Sequence, residues 1–217
     1  MKTITVFGIR SIIEAIKSGK SIDKVWLLKG VKSNLSEQLL YTLRSNNITF
    51  SYVPVERLNR FSEKNHQGAV ARIAAFQTHQ MEKIIEDITS NKKNPVFLLL
   101  DGITDTRNFG AILRSAAAID IDAVFIPTSG SAPLNGDVIK ASVGGAFKVP
   151  ISKVANLKDV VYNHNSHDIP TIAITEKAKT TVYECELKGP VGLIFGSEDK
   201  GISSGLLKII DKTAKLP

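Results

Sequence analysis

Apolar residues recur at helical spacing near the start of the chain and then give way to short apolar runs. Four isoleucines on one face predict a helix over residues 7–17. A second helix is predicted to open at Asn34, where Glu37 completes a capping box, and to end at Asn46. The other elements predicted here are strands at 24–29, 48–53 and 69–76, a short helix at 55–61 and a polar turn at 65–68. This alternation predicts a small α/β sandwich of about eighty residues.

Longer apolar runs alternate with helical patterns in the second half of the chain. The predicted strands cover residues 96–100, 123–126, 147–151, 171–175 and 191–195, and the predicted helices cover 109–119, 134–142, 155–163 and 202–210. Such apolar strands, alternating with helices, indicate a parallel sheet that is covered on both faces. Residues 78–94, with a helical pattern at 81–88, are predicted to link a domain at 1–77 to a second domain at 95–217.

The charge of the chain is unevenly distributed. The net charge is +7 overall, and residues 1–80 alone carry 12 Lys+Arg against 5 Asp+Glu, so the remainder is neutral. A basic module beside a neutral one favours nucleic acid as the partner, bound through phosphate contacts. A basic surface that only serves solubility is the alternative interpretation.

Composition excludes several classes of protein. No run of eighteen apolar residues predicts a membrane span, and the start of the chain shows no signal-peptide pattern, so we expect a cytoplasmic protein. The single cysteine, Cys185, excludes an internal disulfide, and the four histidines show no metal-ligand spacing. Two of them, His164 and His167, lie in a polar stretch and are expected to be solvated.

The segment 101–118 has the form of a functional strand–loop–helix junction. Its polar cluster, 105–108, follows a buried strand, and sites in parallel sheets form where strand ends meet helix N-termini. Asp105 or Asn108 can cap the helix, and Gly110 with the neighbouring small residues allows close packing. Arg114 is the one long charged side chain further along this helix. An ordinary junction in which Arg114 makes a structural ion pair is the alternative.

Two further loops are predicted at the carboxyl ends of strands. One is 175–177, and the other is 196–201, which begins and ends with glycine and contains Glu198. The second loop is not a phosphate-binding loop, since it lacks the required Lys-Ser/Thr and carries an acidic pair. It suits a neutral or cationic ligand, or one whose hydroxyls need an acceptor. As an alternative, Glu198 only interacts favourably with the dipole of the following helix at its N-terminus. The glycine-rich turn at 142–147, read alone, indicates packing.

Several motifs, taken together, resemble the SpoU-type RNA 2′-O-ribose methyltransferases. The resemblance covers nearly the whole chain, and the two motifs at 105–116 and 193–203 are the most specific. The matching segments are Asp-Thr-Arg-Asn-Phe-Gly-Ala-Ile-Leu-Arg-Ser-Ala at 105–116, Lys-Ala-Ser-Val-Gly-Gly-Ala-Phe-Lys-Val-Pro at 140–150 and Leu-Ile-Phe-Gly-Ser-Glu-Asp-Lys-Gly-Ile-Ser at 193–203. Phe-Gly-Ile at 7–9 and His-Gln-Gly at 66–68 resemble the ribosomal-protein-like RNA-binding domain of many members.

This resemblance implies a small N-terminal α/β/α RNA-binding domain and a parallel-sheet α/β methyltransferase domain of the trefoil-knot type. It also implies a homodimer that uses S-adenosylmethionine without a metal. The resemblance maps three residues onto catalytic positions, namely Asn108, Arg114 and Glu198. Arg114 is the implied activator of the ribose hydroxyl, and the other two are implied to orient Arg114 and the ribose. The cofactor is expected near Thr175, Gly196 and Leu216.

The implied activity is methylation of a ribose 2′-hydroxyl in RNA, with ribosomal RNA guanosine as the expected target and transfer RNA as the alternative. An arginine stays protonated and is a poor base, so Arg114 could instead stabilise the developing alkoxide or orient a phosphate. The family's third motif, which forms the knot, is expected after Leu216, where the sequence stops. Its absence keeps a non-catalytic RNA-binding protein open as an alternative. An unrelated Rossmann-like nucleotide enzyme is disfavoured, because no glycine-rich phosphate loop follows residue 100.

Overall fold

A computed structural model describes residues 3–61, 66–210 and 212–217. The described chain forms two compact units. The first combines residues 1–77 with 106–117 and 133–148, and the second contains 78–105, 118–132 and 149–217. The functional boundaries proposed from the sequence at residues 77 and 94 stay a prediction. Asn65, where the predicted polar turn begins, lies outside the described residues.

The first unit is built on a four-stranded sheet with the order β1-β4-β2-β3. Only β2 and β3 run parallel to each other, whereas β4 pairs antiparallel with both β1 and β2. The elements from 1–77 are β1 (Thr3–Phe7), α1 (Ile9–Lys17), β2 (Ile22–Leu28), α2 (Asn34–Ser45), β3 (Phe50–Val53), α3 (Val55–Asn59) and β4 (Ala69–Ala74). Those from the later segments are α5 (Thr106–Ala118), α6 (Gly136–Ala141) and a 3-10 turn at Gly145–Phe147.

The predicted first helix is partly wrong, because a strand precedes it. Residues 3–7 form β1, and Gly8, with a φ of 94°, turns the chain into α1. The left-handed φ is one that L side chains rarely adopt, which explains a glycine here. The predicted cap of α2 is also displaced. Ser33 is the N-cap residue, and its side chain completes a capping box with Ser36 rather than Asn34 with Glu37.

One face of this sheet carries the main core of the first unit. The apolar faces of α1 and α2 pack on it, and Ile139 of α6 joins the same cluster. The fully buried members include Val6, Ile12, Val25, Leu39, Leu43 and Ile73. The isoleucine spacing that predicted α1 is therefore explained by burial, since Ile9, Ile12, Ile13 and Ile16 all lie in this cluster.

The second unit is an open sheet of six strands in the order β10-β8-β9-β5-β6-β7. All its pairings are parallel, as the sequence predicted for this part of the chain, although only five strands were predicted. Its strands are β5 (Val96–Asp101), β6 (Ala123–Pro127), β7 (Ile151–Val154), β8 (Thr171–Ile174), β9 (Val191–Gly196) and β10 (Lys212–Ala214). Its helices are α4 (Met81–Asn91), α7 (Leu157–Ser166) and α8 (Ser204–Leu207), with a 3-10 turn at Val182–Glu184. The three α-helices contribute to one large apolar cluster with β5, β6 and β9.

A predicted strand and a predicted helix of this unit differ from the structure, and one strand was missed. The fifth strand begins at Ile151, because Gly145–Phe147 forms the 3-10 turn instead. The last helix begins at Ser204 rather than Ile202, and β10 was not predicted. The trefoil knot stays a prediction.

His164 is buried, so the expectation that it is solvated is wrong. Its ring lies 5.0 Å from that of Phe97 and 5.9 Å from that of Phe125, and its Nδ1 lies 3.3 Å from the Thr171 hydroxyl. Its Nε2 is buried with no hydrogen-bond partner among the described residues. Burial, assisted by the charge of His167, lowers the pKa of His164 from 6.5 to about 4. The folded chain therefore holds this imidazole neutral.

The lowered pKa of His164 predicts a loss of stability in mild acid. Between pH 6.5 and pH 4 the unfolded chain binds a proton that the folded chain excludes, so the free energy of unfolding falls as pH falls. Between pH 7 and pH 5, His164 lowers the free energy of unfolding by about 2 kcal/mol. Well above the unfolded pKa, this loss is absent. Urea unfolding measured across this range should show a free energy of unfolding that falls with falling pH, and His164→Gln should remove the part of this fall that comes from His164. His167→Gln, at the exposed end of α7, should retain most of it, and equal slopes in wild type and His164→Gln would contradict the account.

Candidate active site

The helix α5 carries two of the predicted catalytic residues at exposed positions. It begins at Thr106, directly after Asp105, and buries Phe109, Gly110, Leu113 and Ala116. Asn108 and Arg114 are both exposed on this helix. The remaining exposed positions of α5 are Arg107, Ala111, Ser115 and Ala118. The exposed helical neighbours of Arg114 are therefore small residues, and its long cationic side chain stands among them.

Close packing fixes the backbone of α5 within the first unit. A Cβ added to Gly110 would lie 2.3 Å from the Cβ of Ala141, so α5 and α6 approach at a distance that only glycine allows. A Cβ on Gly145 would lie 3.0 Å from both the Arg114 Cα and the Leu113 carbonyl oxygen. These contacts confirm that Gly110 permits close packing and that the glycine-rich turn at 142–147 packs. They place the Arg114 backbone directly against this turn while the Arg114 side chain is exposed.

The turn at 142–147 is itself held by the buried Ser142. Its hydroxyl donates to the Ile139 carbonyl at 3.0 Å and accepts from the Ala146 N–H at 3.2 Å. Val143 and Gly144 have positive φ angles of 52° and 82°. The segment that supports α5 is thus a hydrogen-bonded turn.

Three loops of the second unit meet at the carboxyl edge of its sheet, as the sequence predicted. They follow β5, β8 and β9, which are neighbouring parallel strands. The Ser203 N–H donates to the Asp101 carboxylate at 2.7 Å, and a Cβ on Gly102 would lie 3.7 Å from the Ser197 Cβ. The loops after β5 and β9 therefore support each other.

A cavity of about 280 Å³ lies at the carboxyl ends of β8 and β9. Thr175, Gly196 and Glu198 line it, so three residues that the sequence singled out share one site. Its apolar walls are Ile174, Phe195, Ile202 and Leu207. Sequence reasoning missed these walls, although they are the apolar residues at the strand ends and in the following helical segment. Leu216 does not line the cavity and is 64% exposed, two residues beyond β10.

The loop at 196–201 folds back tightly on itself. The Gly201 N–H donates to the Ser197 carbonyl at 2.8 Å, and the Lys200 N–H donates to the Ser197 hydroxyl at 3.2 Å. Gly196 lies so close to the end of this loop that a Cβ on it would be 2.0 Å from the Gly201 carbonyl carbon. The helix predicted to begin directly after Gly201 begins only at Ser204, and Gly201 has a left-handed φ of 65° in the turn. Glu198 is exposed at the tip.

The charges that line the cavity favour a neutral or cationic ligand. The cavity lining contains three carboxylates, Glu176, Glu198 and Asp199, and two cations, Lys177 and Lys200. Thr175 is held at the cavity by its N–H, which donates to the Ala214 carbonyl at 2.8 Å. The strand β10, which was not predicted, therefore holds Thr175 in place at one side of the cavity.

Neither a metal centre nor a membrane span is found in the described part of the chain. Within residues 3–61, 66–210 and 212–217, no three His, Cys, Asp or Glu side chains are grouped so that they could hold a metal ion. Among the same residues, no helix has both the length and the apolar character needed to cross a membrane.

Comparison with known proteins gives matches along the whole chain. Residues 95–217 match the sequence profile of the SpoU rRNA Methylase family, and residues 5–79 match that of the RNA 2′-O ribose methyltransferase substrate binding family. The 23S rRNA (guanosine-2′-O-)-methyltransferase RlmB of Haemophilus influenzae is 32% identical over 98% of this chain and 87% of its own length. The putative TrmH family tRNA/rRNA methyltransferase YacO of Bacillus subtilis is 28% identical over 98% of this chain and 85% of its own.

Solved structures show the same fold. The SpoU methyltransferase AviRb from Streptomyces viridochromogenes, crystallised with S-adenosylmethionine, aligns with a TM-score of 0.80 at 20% identity over 99% of this chain and 81% of its own. The SpoU rRNA Methylase profile alone spans more than half of the sequence. The chain therefore belongs to the SpoU rRNA Methylase family.

Proposed function

We propose that this chain transfers a methyl group from S-adenosylmethionine to a ribose 2′-hydroxyl in RNA, with ribosomal RNA guanosine as the substrate. The observation that carries the proposal is the cavity at the carboxyl ends of β8 and β9, which Thr175, Gly196 and Glu198 line. The name of the Haemophilus influenzae relative supports the guanosine assignment. The name of the Bacillus subtilis relative keeps a transfer RNA substrate as the alternative.

The lining of the cavity fits S-adenosylmethionine in its chemistry. Its volume of about 280 Å³ is close to the lower end of small-molecule sites, about 300 Å³. Apolar walls suit the adenine ring, a carboxylate suits ribose hydroxyls, and the excess of carboxylates suits a sulfonium cation. When bound, the cofactor supplies an electrophilic methyl group, and the residues of the chain orient the reactants.

Thr175, Gly196 and Leu216 are proposed to hold the cofactor. Gly196 lets the loop at 196–201 close onto the end of β9 and so shapes the cavity, and Thr175 follows the end of β8 in the same lining. Leu216 does not line the cavity, and its proposed contact with the cofactor, from the segment after β10, rests on the family resemblance. Glu198 is proposed to accept hydrogen bonds from nucleoside hydroxyls at the tip of the loop.

Arg114 is proposed to stabilise the negative charge that develops on the ribose oxygen. As the ribose oxygen bonds to the methyl carbon, the carbon–sulfur bond of the cofactor would break and leave a neutral thioether, while the hydroxyl proton would leave to solvent. A guanidinium stays protonated throughout. Its N–H groups can therefore donate to the developing oxyanion, which is a larger effect than weak general-base catalysis. Asn108, almost two turns earlier on α5, is proposed to orient the ribose through its amide.

The active form is proposed to be a homodimer in the cytoplasm. The family resemblance supports the dimer, and the RNA substrate supports the compartment. Light scattering of the purified chain should give twice the mass of 23.6 kDa. A monomer mass at the concentration of the activity assay would contradict the dimer.

Replacing Glu198 by glutamine is expected to lower methyl transfer about tenfold, because the charged acceptor becomes a neutral one. The assay follows tritium from labelled S-adenosylmethionine into unmodified ribosomal RNA. Glu186→Gln, an exposed carboxylate that does not line the cavity, is the matched control and should keep the wild-type rate. Equal rates in all three proteins would remove Glu198 from the proposed site, and absence of transfer by the wild type would overturn the proposed function.

A further inference from the structure

The loop at 196–201 meets the same residue of a neighbouring strand at both of its ends. Asp101, the last residue of β5, pairs with Gly196 in the parallel register of β5 and β9, and the loop leaves the sheet at this pair. The chain returns two residues beyond the loop, where the Ser203 N–H donates to the Asp101 carboxylate at 2.7 Å. Asp101 is therefore the strand partner of one end of the loop and the hydrogen-bond acceptor for the other.

The bond to Asp101 gives the Ser203 amide an acceptor that the following helix does not supply. Ser203 is the N-cap residue of α8, so its N–H precedes the hydrogen-bonded turns of this short helix. A backbone N–H needs an acceptor, and a carboxylate forms a stronger bond with it than a neutral oxygen does. Ile202, directly before Ser203, is buried in the core of the second unit. The returning end of the loop is thus held by a charge-assisted hydrogen bond next to a buried side chain.

The segment between these two attachments forms one side of the cavity at β8 and β9. Residues 196–202 all line it, and they include Glu198 and the apolar wall residue Ile202. Asp101 itself does not line the cavity. Its carboxylate therefore influences a ligand there through the position of this segment rather than by contact. Misplacement of a reacting group by about 1 Å can cost on the order of 100-fold in rate, so the position of the segment matters for catalysis.

A second carboxylate holds the opposite end of β5 in the same way. The Asp122 carboxylate accepts from the N–H of Val96, the first residue of β5, at 2.7 Å. It also pairs with the Lys92 ammonium, which lies 2.8 Å from both of its oxygens. Neither Asp122 nor Val96 lines the cavity. Of these two bonds at the ends of β5, the bond of Asp101 alone holds a segment that lines the cavity.

We propose that Asp101 is a positioning residue for methyl transfer, because its bond to Ser203 sets the position of the segment that carries Glu198 and Ile202. The carboxylate acts on the loop and contacts neither the cofactor nor the RNA. Asp101 is not among the site residues that the family resemblance implied. The inference rests on the proposed function for the reaction that the loop serves, whereas the hold on the loop can be measured without a ligand.

The hold on the loop is tested by amide hydrogen exchange of the full chain, followed by mass spectrometry. Asp101→Ala should raise the exchange rate of the segment at 196–203 about tenfold, because the Ser203 amide loses a charge-assisted bond. Asp101→Asn keeps an oxygen that can accept this bond, so it should recover part of the protection. Asp122→Ala should leave the segment at the wild-type rate. Wild-type exchange of the segment in Asp101→Ala would overturn the proposal.

The effect on the cavity is measured by calorimetric titration with S-adenosylmethionine, beside urea unfolding of each variant. Asp101→Ala should weaken binding about tenfold and Asp101→Asn about threefold, because the amide oxygen is a weaker acceptor than the carboxylate. Asp122→Ala should lose comparable stability and bind like the wild type, because its bond lies at the other end of β5. Equal losses of affinity in Asp101→Ala and Asp122→Ala would reveal general destabilisation and overturn the proposal.

A double variant tests whether Asp101 acts through the loop that carries Glu198. If the two residues acted independently, Asp101→Ala and Glu198→Gln would together lower methyl transfer about 100-fold, the product of two losses of about tenfold each. The proposal predicts a combined loss well below this product, since a displaced loop no longer places Glu198, and a full product would overturn it. S-adenosylmethionine binding that Asp101→Ala leaves unchanged would remove the role of Asp101 alone. A wild type that neither binds nor uses S-adenosylmethionine would overturn the proposed function together with the role of Asp101 in it.

Discussion

Replacing Arg114 by alanine is expected to lower the rate of methyl transfer about 100- to 1,000-fold, the usual cost of removing one oxyanion donor. S-adenosylmethionine affinity should stay unchanged, because Arg114 does not line the cavity at β8 and β9. The fold should also be retained, since the side chain is exposed and the backbone is fixed through Gly145. Single-turnover transfer to ribosomal RNA measures the rate, and calorimetry measures the cofactor affinity.

Two variants make this result specific to the Arg114 guanidinium. Arg107→Ala removes an exposed arginine from the first turn of the same helix and should keep most of the rate. Arg114→Lys keeps the charge but not the planar fork of donors, so it should recover only part of the loss. An Arg114→Ala variant that transfers methyl groups as fast as the wild type would remove Arg114 from the reaction.

Replacing Gly196 by alanine is expected to destabilise the second unit by about 3 kcal/mol or more, because overpacking against backbone cannot relax by a rotamer change. The added Cβ would lie 2.0 Å from the Gly201 carbonyl carbon and 2.2 Å from the Ile202 nitrogen. The loop at 196–201 would have to move, and the cavity that it lines would change shape. We therefore expect S-adenosylmethionine binding to be lost together with stability.

Urea unfolding measures the change in stability for Gly196→Ala. Gly205→Ala, in α8, is the matched control, because its Cβ would meet only the flexible end of Lys158 at 3.2 Å. A helical glycine exchanged for alanine should change stability by about 1 kcal/mol or less, and in the stabilising direction. If Gly196→Ala were as stable as this control, the tight closure of the loop would be refuted.

Much of the parallel sheet could be predicted from the sequence because its strands are buried. Apolar runs placed the starts of β5, β6, β8 and β9 at the observed residues, and only their ends shifted by one residue. Two strands were missed for physical reasons. Residues 3–7 alternate threonine with apolar residues over only five positions, and β10 has three residues, of which only Ala214 is buried. Neither segment carries enough apolar sequence to predict a strand.

The loops of the candidate site could also be predicted, since loops at the ends of adjacent parallel strands must meet at one edge. The packing that supports them could not. The contact of Gly145 with the Arg114 backbone joins residues far apart in sequence, and no local pattern reports it. His164 was missed for another reason, because polar neighbours obscured its helical position. It follows Leu157, Val160 and Val161 at helical spacing on the buried face of α7, and that spacing was a usable signal.

The central claim is methylation of a ribose oxygen, and the most direct measurement identifies the methylated nucleoside. The full chain is incubated with unmodified ribosomal RNA and S-adenosylmethionine carrying a tritiated methyl group, and the RNA is digested to nucleosides and separated by chromatography. The account predicts label in 2′-O-methylguanosine, and no label at that position when the target nucleotide is made with a 2′-deoxyribose. Label in a base-methylated nucleoside, or transfer that survives the 2′-deoxy substitution, would contradict it.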